Sequence, residues 1–238
     1  MKSETLAKLI GILPQGLVKI CSKKLVNYYL NKYADLHIEG GEKLNHIQRP
    51  TIFVCNHLSN SDGLILDRAL KPVDPTFVAG VKLKTNALTQ LGMHVVKTTS
   101  VRPDSADKEG LKKMVDLVKS GESLLIFPEG TRSRSGKMLQ ARKGIYLLAR
   151  MTGAPIVPLG LWGSENLLPV DQEGNMGAES FQHARVDLKI GDQFDLPKRS
   201  KDMDKKVYAE WVVTFIMEKI ADLVPEDYQG YYSKKVEK

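Results

Sequence analysis

The sequence predicts an α/β fold with a mixed, largely parallel central sheet flanked by helices. Two patterns carry that prediction. Short apolar, β-branched runs recur from residue 51 onward, and segments with helical spacing of apolar residues fall between them. Strands that alternate with helices are joined by crossovers, which favour parallel pairing. A third pattern precedes the sheet: residues 3–33 read as two amphipathic helices broken at Pro14-Gln15-Gly16. The chain is therefore divided into a two-helix motif at 1–35 and one α/β domain at 36–238.

Leu6, Leu9, Ile10 and Leu13 form the apolar stripe of the first helix. Leu17, Cys21, Leu25, Tyr28 and Tyr29 form that of the second. Residues 1–34 carry six lysines against one glutamate, in a chain of net charge +7. Apolar residues beside lysines, with tyrosines at the boundary, suit helices docked in a membrane interface. They equally suit a helical pair packed on the domain with a solvated basic face. No apolar run approaches the roughly 18–20 residues of a spanning helix, and the short Leu9–Leu13 run does not make a signal peptide. Basic charge also attracts nucleic acid, yet no zinc-finger spacing or aromatic–basic RNA motif is present, so no nucleic-acid partner is expected. The content of 42% hydrophobic and 26% charged residues is that of a globular chain. Cys21 and Cys55 form no metal spacing and favour a reducing, cytoplasmic-side location.

Strands are expected at 51–55, 76–80, 93–97, 123–127, 155–160 and 185–190. Helices are expected near 62–70, 83–91, 106–119, 141–151 and 203–223. In 106–119, Leu111, Met114, Val115 and Val118 share one face while Lys108, Lys112, Lys113 and Lys119 lie elsewhere. The Gly- and polar-rich stretch 171–180 reads as a loop or insertion.

Two polar stretches follow apolar strands and carry the chemistry. The first is Asn56-His57-Leu58-Ser59-Asn60-Ser61-Asp62-Gly63. Histidine exchanges a proton near neutral pH, and a carboxylate fixes its tautomer and stabilises its charged form. Positions five apart lie about 140° apart on a helix, so the pair needs a turn between them. Ser59, Asn60 or Ser61 supplies an N-cap, with Asp62 in the first helical turn. The second stretch is Phe127-Pro128-Glu129-Gly130-Thr131-Arg132-Ser133 through Lys137, in which Arg132 offers a planar donor fork for a phosphate. It is not a Walker P-loop. Lys97 and Arg102 could extend an anion-binding surface, and His94 reads as a packed histidine.

Together these stretches resemble the glycerophospholipid acyltransferases, specifically the bacterial 1-acylglycerol-3-phosphate acyltransferases. His57 through Asp62 resembles the family's His-x-x-x-x-Asp motif, and Phe127–Ser133 its acceptor-binding motif. Lys143-Gly144 and Ala154-Pro155-Ile156-Val157-Pro158 resemble later blocks, and Pro225–Tyr231 is also similar. The resemblance implies transfer of a fatty acyl group from acyl-CoA or an acyl carrier protein to the sn-2 hydroxyl of lysophosphatidate. It implies His57 as general base and Asp62 as its partner. The acceptor would be bound by Glu129, Gly130, Thr131 and Arg132, with Arg102 or Lys97 assisting, and Glu129 would orient Arg132 or the loop or contact an acceptor hydroxyl. Neither a metal nor a cofactor beyond the acyl donor is implied. The location implied is the cytoplasmic face of a membrane, with membrane lipids as partners, which favours the docking reading of residues 3–33. Related acceptors such as glycerol-3-phosphate remain the nearest alternative. From other classes come a metal-dependent hydrolase using His57, Asp62, His94 and Glu129, and a non-catalytic membrane-surface binder.

Overall fold

The structure, a computed structural model, describes residues 14–80, 92, 94–102, 107–171 and 179–233. Its centre is a seven-stranded sheet: β1 (Ala34–Glu39), β2 (Ile52–Cys55), β3 (Thr76–Gly80), β4 (Thr98–Val101), β5 (Leu124–Ile126), β6 (Ile156–Trp162) and β7 (Ala184–Ile190). The spatial order is β1-β7-β6-β2-β5-β3-β4. Five strands run parallel, and the sheet reverses direction between β6 and β7. The helices are α1 (Gln15–Tyr33), α2 (Asp62–Ala69), α3 (Lys108–Lys119), α4 (Gly144–Thr152), the short α5 (Ser164–Leu167) and α6 (Lys205–Ala221).

Period-two alternation explains why both faces of the sheet are covered. Ile52, Val54, Leu124 and Ile156 point into a core shared with α3, α4 and α6. Phe53, Cys55, Leu125, Val157 and Leu159 point into a second core, beneath α1 and α2. Strands β2 and β6 are buried along almost their whole length, so only their ends can carry polar chemistry.

The expected strands at 51–55, 76–80, 123–127, 155–160 and 185–190 are present with small shifts at their ends. The strand expected at 93–97 is corrected. Gly92, His94 and Val95 are helical, and the strand follows at Thr98–Val101. The helix expected at 83–91 and the first N-terminal helix fall outside the described residues.

Helix α1 runs directly into β1, so the boundary drawn at residue 35 falls inside a strand. Its inward side buries Val18, Ser22 and Leu30, and Val26 and Tyr33 pack on the second core. The expected single stripe of Leu17, Cys21, Leu25, Tyr28 and Tyr29 is divided. Leu17, Ile20 and Tyr28 are exposed on the outward side beside Lys24, whereas Tyr29 stacks inward on Phe181. Among the described residues, no helix is long and apolar enough to cross a membrane.

Candidate active site

Strand β2 lies beside β5, and their C-terminal ends release the two polar stretches side by side. Ligands of open α/β sheets bind at such carboxyl ends, where the chain order switches. Here β5 is inserted between β2 and β3.

Asn56 secures the exit of β2. Its amide donates to the Leu161 carbonyl at 2.7 Å and accepts the Leu161 N–H at 2.9 Å, tying the loop to β6. The chain then turns through Asn60 and Ser61 into α2, with Asp62 as the first helical residue. The turn solves the five-residue spacing. His57 Nδ1 lies 2.7 Å from Asp62 Oδ2. The same oxygen accepts the N–H groups of Leu58 at 2.7 Å and Ser59 at 2.9 Å. Asp62 is fully buried, and its Oδ1 has no hydrogen-bond partner among the described residues. A buried carboxylate that receives three donors on one oxygen fixes the direction of the histidine bond: Nδ1 carries the proton, and Nε2 is the basic nitrogen. Phe127 stacks on the imidazole with centroids 4.0 Å apart, which fixes the ring plane.

The loop after β5 is built around Glu129. Of the places expected for Glu129, the geometry puts it between the two loops, where it holds them together, and not facing an acceptor. The residue is 1% exposed, and both carboxylate oxygens already have backbone donors. Oε1 accepts the His57 N–H at 3.0 Å and Oε2 the Leu139 N–H at 2.9 Å. Burial pushes its carboxyl up to about 7, against the lowering effect of those two N–H groups, with Asp62 adding repulsion. Glu129 thus clamps the His57 loop to the loop after β5. A second tie runs back from the Ser133 N–H to the His57 carbonyl at 2.8 Å.

Gly130 adopts the left-handed conformation, φ +72°, and a Cβ there would meet the Arg142 stem at 3.2 Å. Thr131 is exposed. Arg132 reaches the site with its guanidinium oriented by Glu179, Nη1 to Oε1 at 3.1 Å. The other Glu179 oxygen accepts the Asn60 amide at 2.5 Å. Glu179 is itself buried, so it joins the His57 turn to Arg132.

The structure separates the two cations that the sequence left open. Phe77 pairs with Thr98 and Thr76 with Leu124, which puts Lys97 at the N-terminal edge of the parallel strands. There it pairs with Glu122 at 2.5 Å. Lys97 is therefore corrected as a candidate ligand, since it sits a strand's length from the His57 edge. Arg102 follows the C-terminal end of β4, on the same edge as His57, and its N–H is held by Asp107 at 2.6 Å. His94 is exposed, three residues ahead of Lys97. Among the described residues, no three histidine, cysteine, aspartate or glutamate side chains converge to hold a metal ion. Cys55 is buried, and burial with the nearby Asp62 and Glu129 charges pushes its thiol well above the usual range. That environment disfavours a thiolate nucleophile.

Residues 35–162 match the family model described as Acyltransferase. The chain belongs to the acyltransferase family. This acyltransferase is 33% identical over 140 residues to a chloroplastic 1-acyl-sn-glycerol-3-phosphate acyltransferase of Brassica napus, covering 58% of this chain and 40% of that protein. It is 31% identical over 123 residues to a probable 1-acyl-sn-glycerol-3-phosphate acyltransferase of Mycoplasma genitalium, covering 49% of this chain and 46% of that one. The matched stretch thus spans less than half the length of either relative. The fold is also that of the crystal structure of a 1-acyl-sn-glycerophosphate acyltransferase from Thermotoga maritima. That match has a TM-score of 0.59 at 22% identity and covers 92% of this chain and 88% of that one.

Sequence reading placed Asn56 and Phe127 inside the two polar stretches without giving either a role, and it missed Glu179. Glu179 lies in the stretch read as a loop and gave no signal.

Proposed function

We propose that this acyltransferase moves a fatty acyl group from a thioester to the sn-2 hydroxyl of 1-acylglycerol-3-phosphate, forming phosphatidate. The observation that carries the reading is the 2.7 Å bond from His57 Nδ1 to the buried Asp62 carboxylate, beside a loop that presents Arg132. The names of the curated relatives support the choice of acceptor.

His57 Nε2 takes the proton of the acceptor hydroxyl as its oxygen attacks the thioester carbonyl carbon. Asp62 holds the ring and stabilises the imidazolium. Collapse of the tetrahedral intermediate breaks the C–S bond. The thiolate, whose conjugate thiol has a pKa of about 8.5, leaves with little assistance and receives the proton from His57. No enzyme nucleophile and no metal enter this sequence. Either acyl-CoA or an acyl carrier protein satisfies the chemistry as donor. Arg132, oriented by Glu179, takes the acceptor phosphate through charge-assisted hydrogen bonds, and Arg102 approaches from the same edge. Thr131 and the Gly130 backbone line the approach. The outward side of α1 docks on the cytoplasmic leaflet through Leu17, Ile20 and Tyr28, with Lys24 at the headgroups.

A panel of lysophosphatidate, glycerol-3-phosphate and a neutral lysophospholipid, offered with each donor to the purified protein, tests the reaction. Turnover of lysophosphatidate ahead of the others is expected; indifference to it overturns the acceptor assignment. Arg132→Lys keeps the charge but loses the fork, and should raise KM for lysophosphatidate about tenfold, with a smaller change in kcat. An unchanged KM would remove Arg132 from the phosphate site. Leu17→Ser combined with Ile20→Ser and Tyr28→Ser alters only exposed side chains. It should weaken sedimentation with anionic liposomes by about tenfold or more; full retention would discard α1 as the docking element.

A further inference from the structure

The segment after α6 is folded as two 3₁₀ turns, Glu226–Tyr228 and Gly230–Tyr232, and the proposed chemistry gives it no part. It lies across the far end of the loop that begins at Phe127. The Tyr228 carbonyl accepts the Met138 N–H at 2.8 Å, and the Tyr231 N–H donates to the Met138 carbonyl at 3.0 Å. The Tyr232 hydroxyl accepts the Ala141 N–H at 2.8 Å. Met138 is 1% exposed and Tyr232 7%. The strap is anchored at its other side, where the Tyr228 hydroxyl donates to Glu165 Oε1 at 2.7 Å and the Gln229 amide donates to the Ala221 carbonyl at 3.1 Å.

Residues 138–141 are thus gripped from two sides. Met138 and Ala141 are held by the strap, and between them the Leu139 N–H is held by Glu129. Glu129 in turn holds the His57 N–H. We propose that Pro225–Tyr232 is a positioning strap for His57, acting through Met138–Ala141 and Glu129. Tyr232 and Gly230 are its key positioning residues. The Gly230 backbone has φ +51°, and a Cβ there would fall 2.3 Å from the Met138 carbonyl oxygen. Only glycine allows so close a backbone approach in that conformation.

This inference rests on the proposed reaction for its kinetic readout, so the test also includes a readout independent of turnover. Tyr232→Phe deletes one acceptor oxygen, and Gly230→Ala pushes the strap off Met138. Amide hydrogen exchange of the full chain should show lost protection at 138–142 and, together with it, at 57–59 in both variants. Tyr232→Phe remains decisive if Gly230→Ala does not fold. In acyl transfer, Tyr232→Phe should lower kcat about three- to tenfold and Gly230→Ala about tenfold or more. KM for lysophosphatidate should be nearly unchanged, because Arg132 is held by Glu179 and not by the strap. Combined with Glu129→Gln, either change should add little further loss, since both act along one line. Opening at 138–142 with unchanged protection at 57–59, or losses that multiply with Glu129→Gln, would overturn the strap's role. A wild-type protein that acylates none of the acceptors would refute the reaction, while hydrogen exchange would still decide the strap.

Discussion

Replacing His57 with alanine is expected to lower kcat for acyl transfer by about 10³-fold, within the range of a lost general base. The fold should survive, because among the described residues the imidazole bonds to Asp62 alone and stacks on Phe127 at the site's surface. Asp62 separates two effects. In Asp62→Asn the amide oxygen can occupy the Oδ2 position and keep the Leu58, Ser59 and His57 donors. The amide nitrogen then falls where Oδ1 has no partner among the described residues. Geometry is retained while the negative charge that stabilises imidazolium is lost, and kcat should fall about 10²-fold. Asp62→Ala should be worse in stability as well. It orphans two buried N–H groups, at roughly 1–3 kcal/mol each. Cys55→Ala, by contrast, should leave turnover near wild type. Kinetics of purified variants at saturating lysophosphatidate, with thermal melts alongside, check the set. A His57→Ala protein keeping more than a tenth of wild-type kcat, or a Cys55→Ala protein losing all of it, would end the direct-attack mechanism.

Which parts of this arrangement were legible in the sequence follows from where each residue sits. The buried inner strands β2, β3, β5 and β6 announce themselves as apolar runs because both faces meet core. The strands that escaped notice are β1 and β4, the two edges of the sheet. In β1, Asp35, His37 and Glu39 alternate outward, and β4 is Thr-Thr-Ser-Val, of which only Thr99 is fully buried. An edge strand with polar residues leaves no apolar run to read. The more apolar Met93–Lys97 segment drew the prediction instead. The His57–Asp62 pair was legible because a strand end and a helix start bracket it within six residues. Glu129 was visible as a residue with orienting the loop among its expected roles, yet a carboxylate in a polar loop gives no sign that two backbone amides from different segments will enclose it. Glu179 is more remote still, separated from Asn60 by over a hundred positions, and only the fold brings them together.

Glu129→Gln tests whether that enclosed carboxylate positions the site or touches the acceptor. Glutamine keeps one acceptor oxygen and turns an NH₂ group toward the other amide, so either the His57 N–H or the Leu139 N–H loses its partner. The His57 loop is loosened, and kcat should fall about tenfold to 10²-fold. KM for lysophosphatidate should hold, because Glu129 is sealed from the approach. A raised KM with unchanged kcat would return Glu129 to substrate binding. The pH dependence of stability supplies an independent sign. The carboxyl is raised from 4.5 to about 7 in the folded protein by burial, so between those values the folded state holds a proton that the unfolded chain has released. Stability from this group is therefore fully present below about pH 4.5 and is lost as pH rises through 7, an effect of roughly 3 kcal/mol. Glutamine does not titrate. Denaturant unfolding should show the wild type ahead of Glu129→Gln at pH 5, with the gap narrowing or reversing by pH 8. A gap of the same size at both pH values would mean that Glu129 ionises as it does in solvent. The clamp would then have to be charged at little cost, with the two amides offsetting burial.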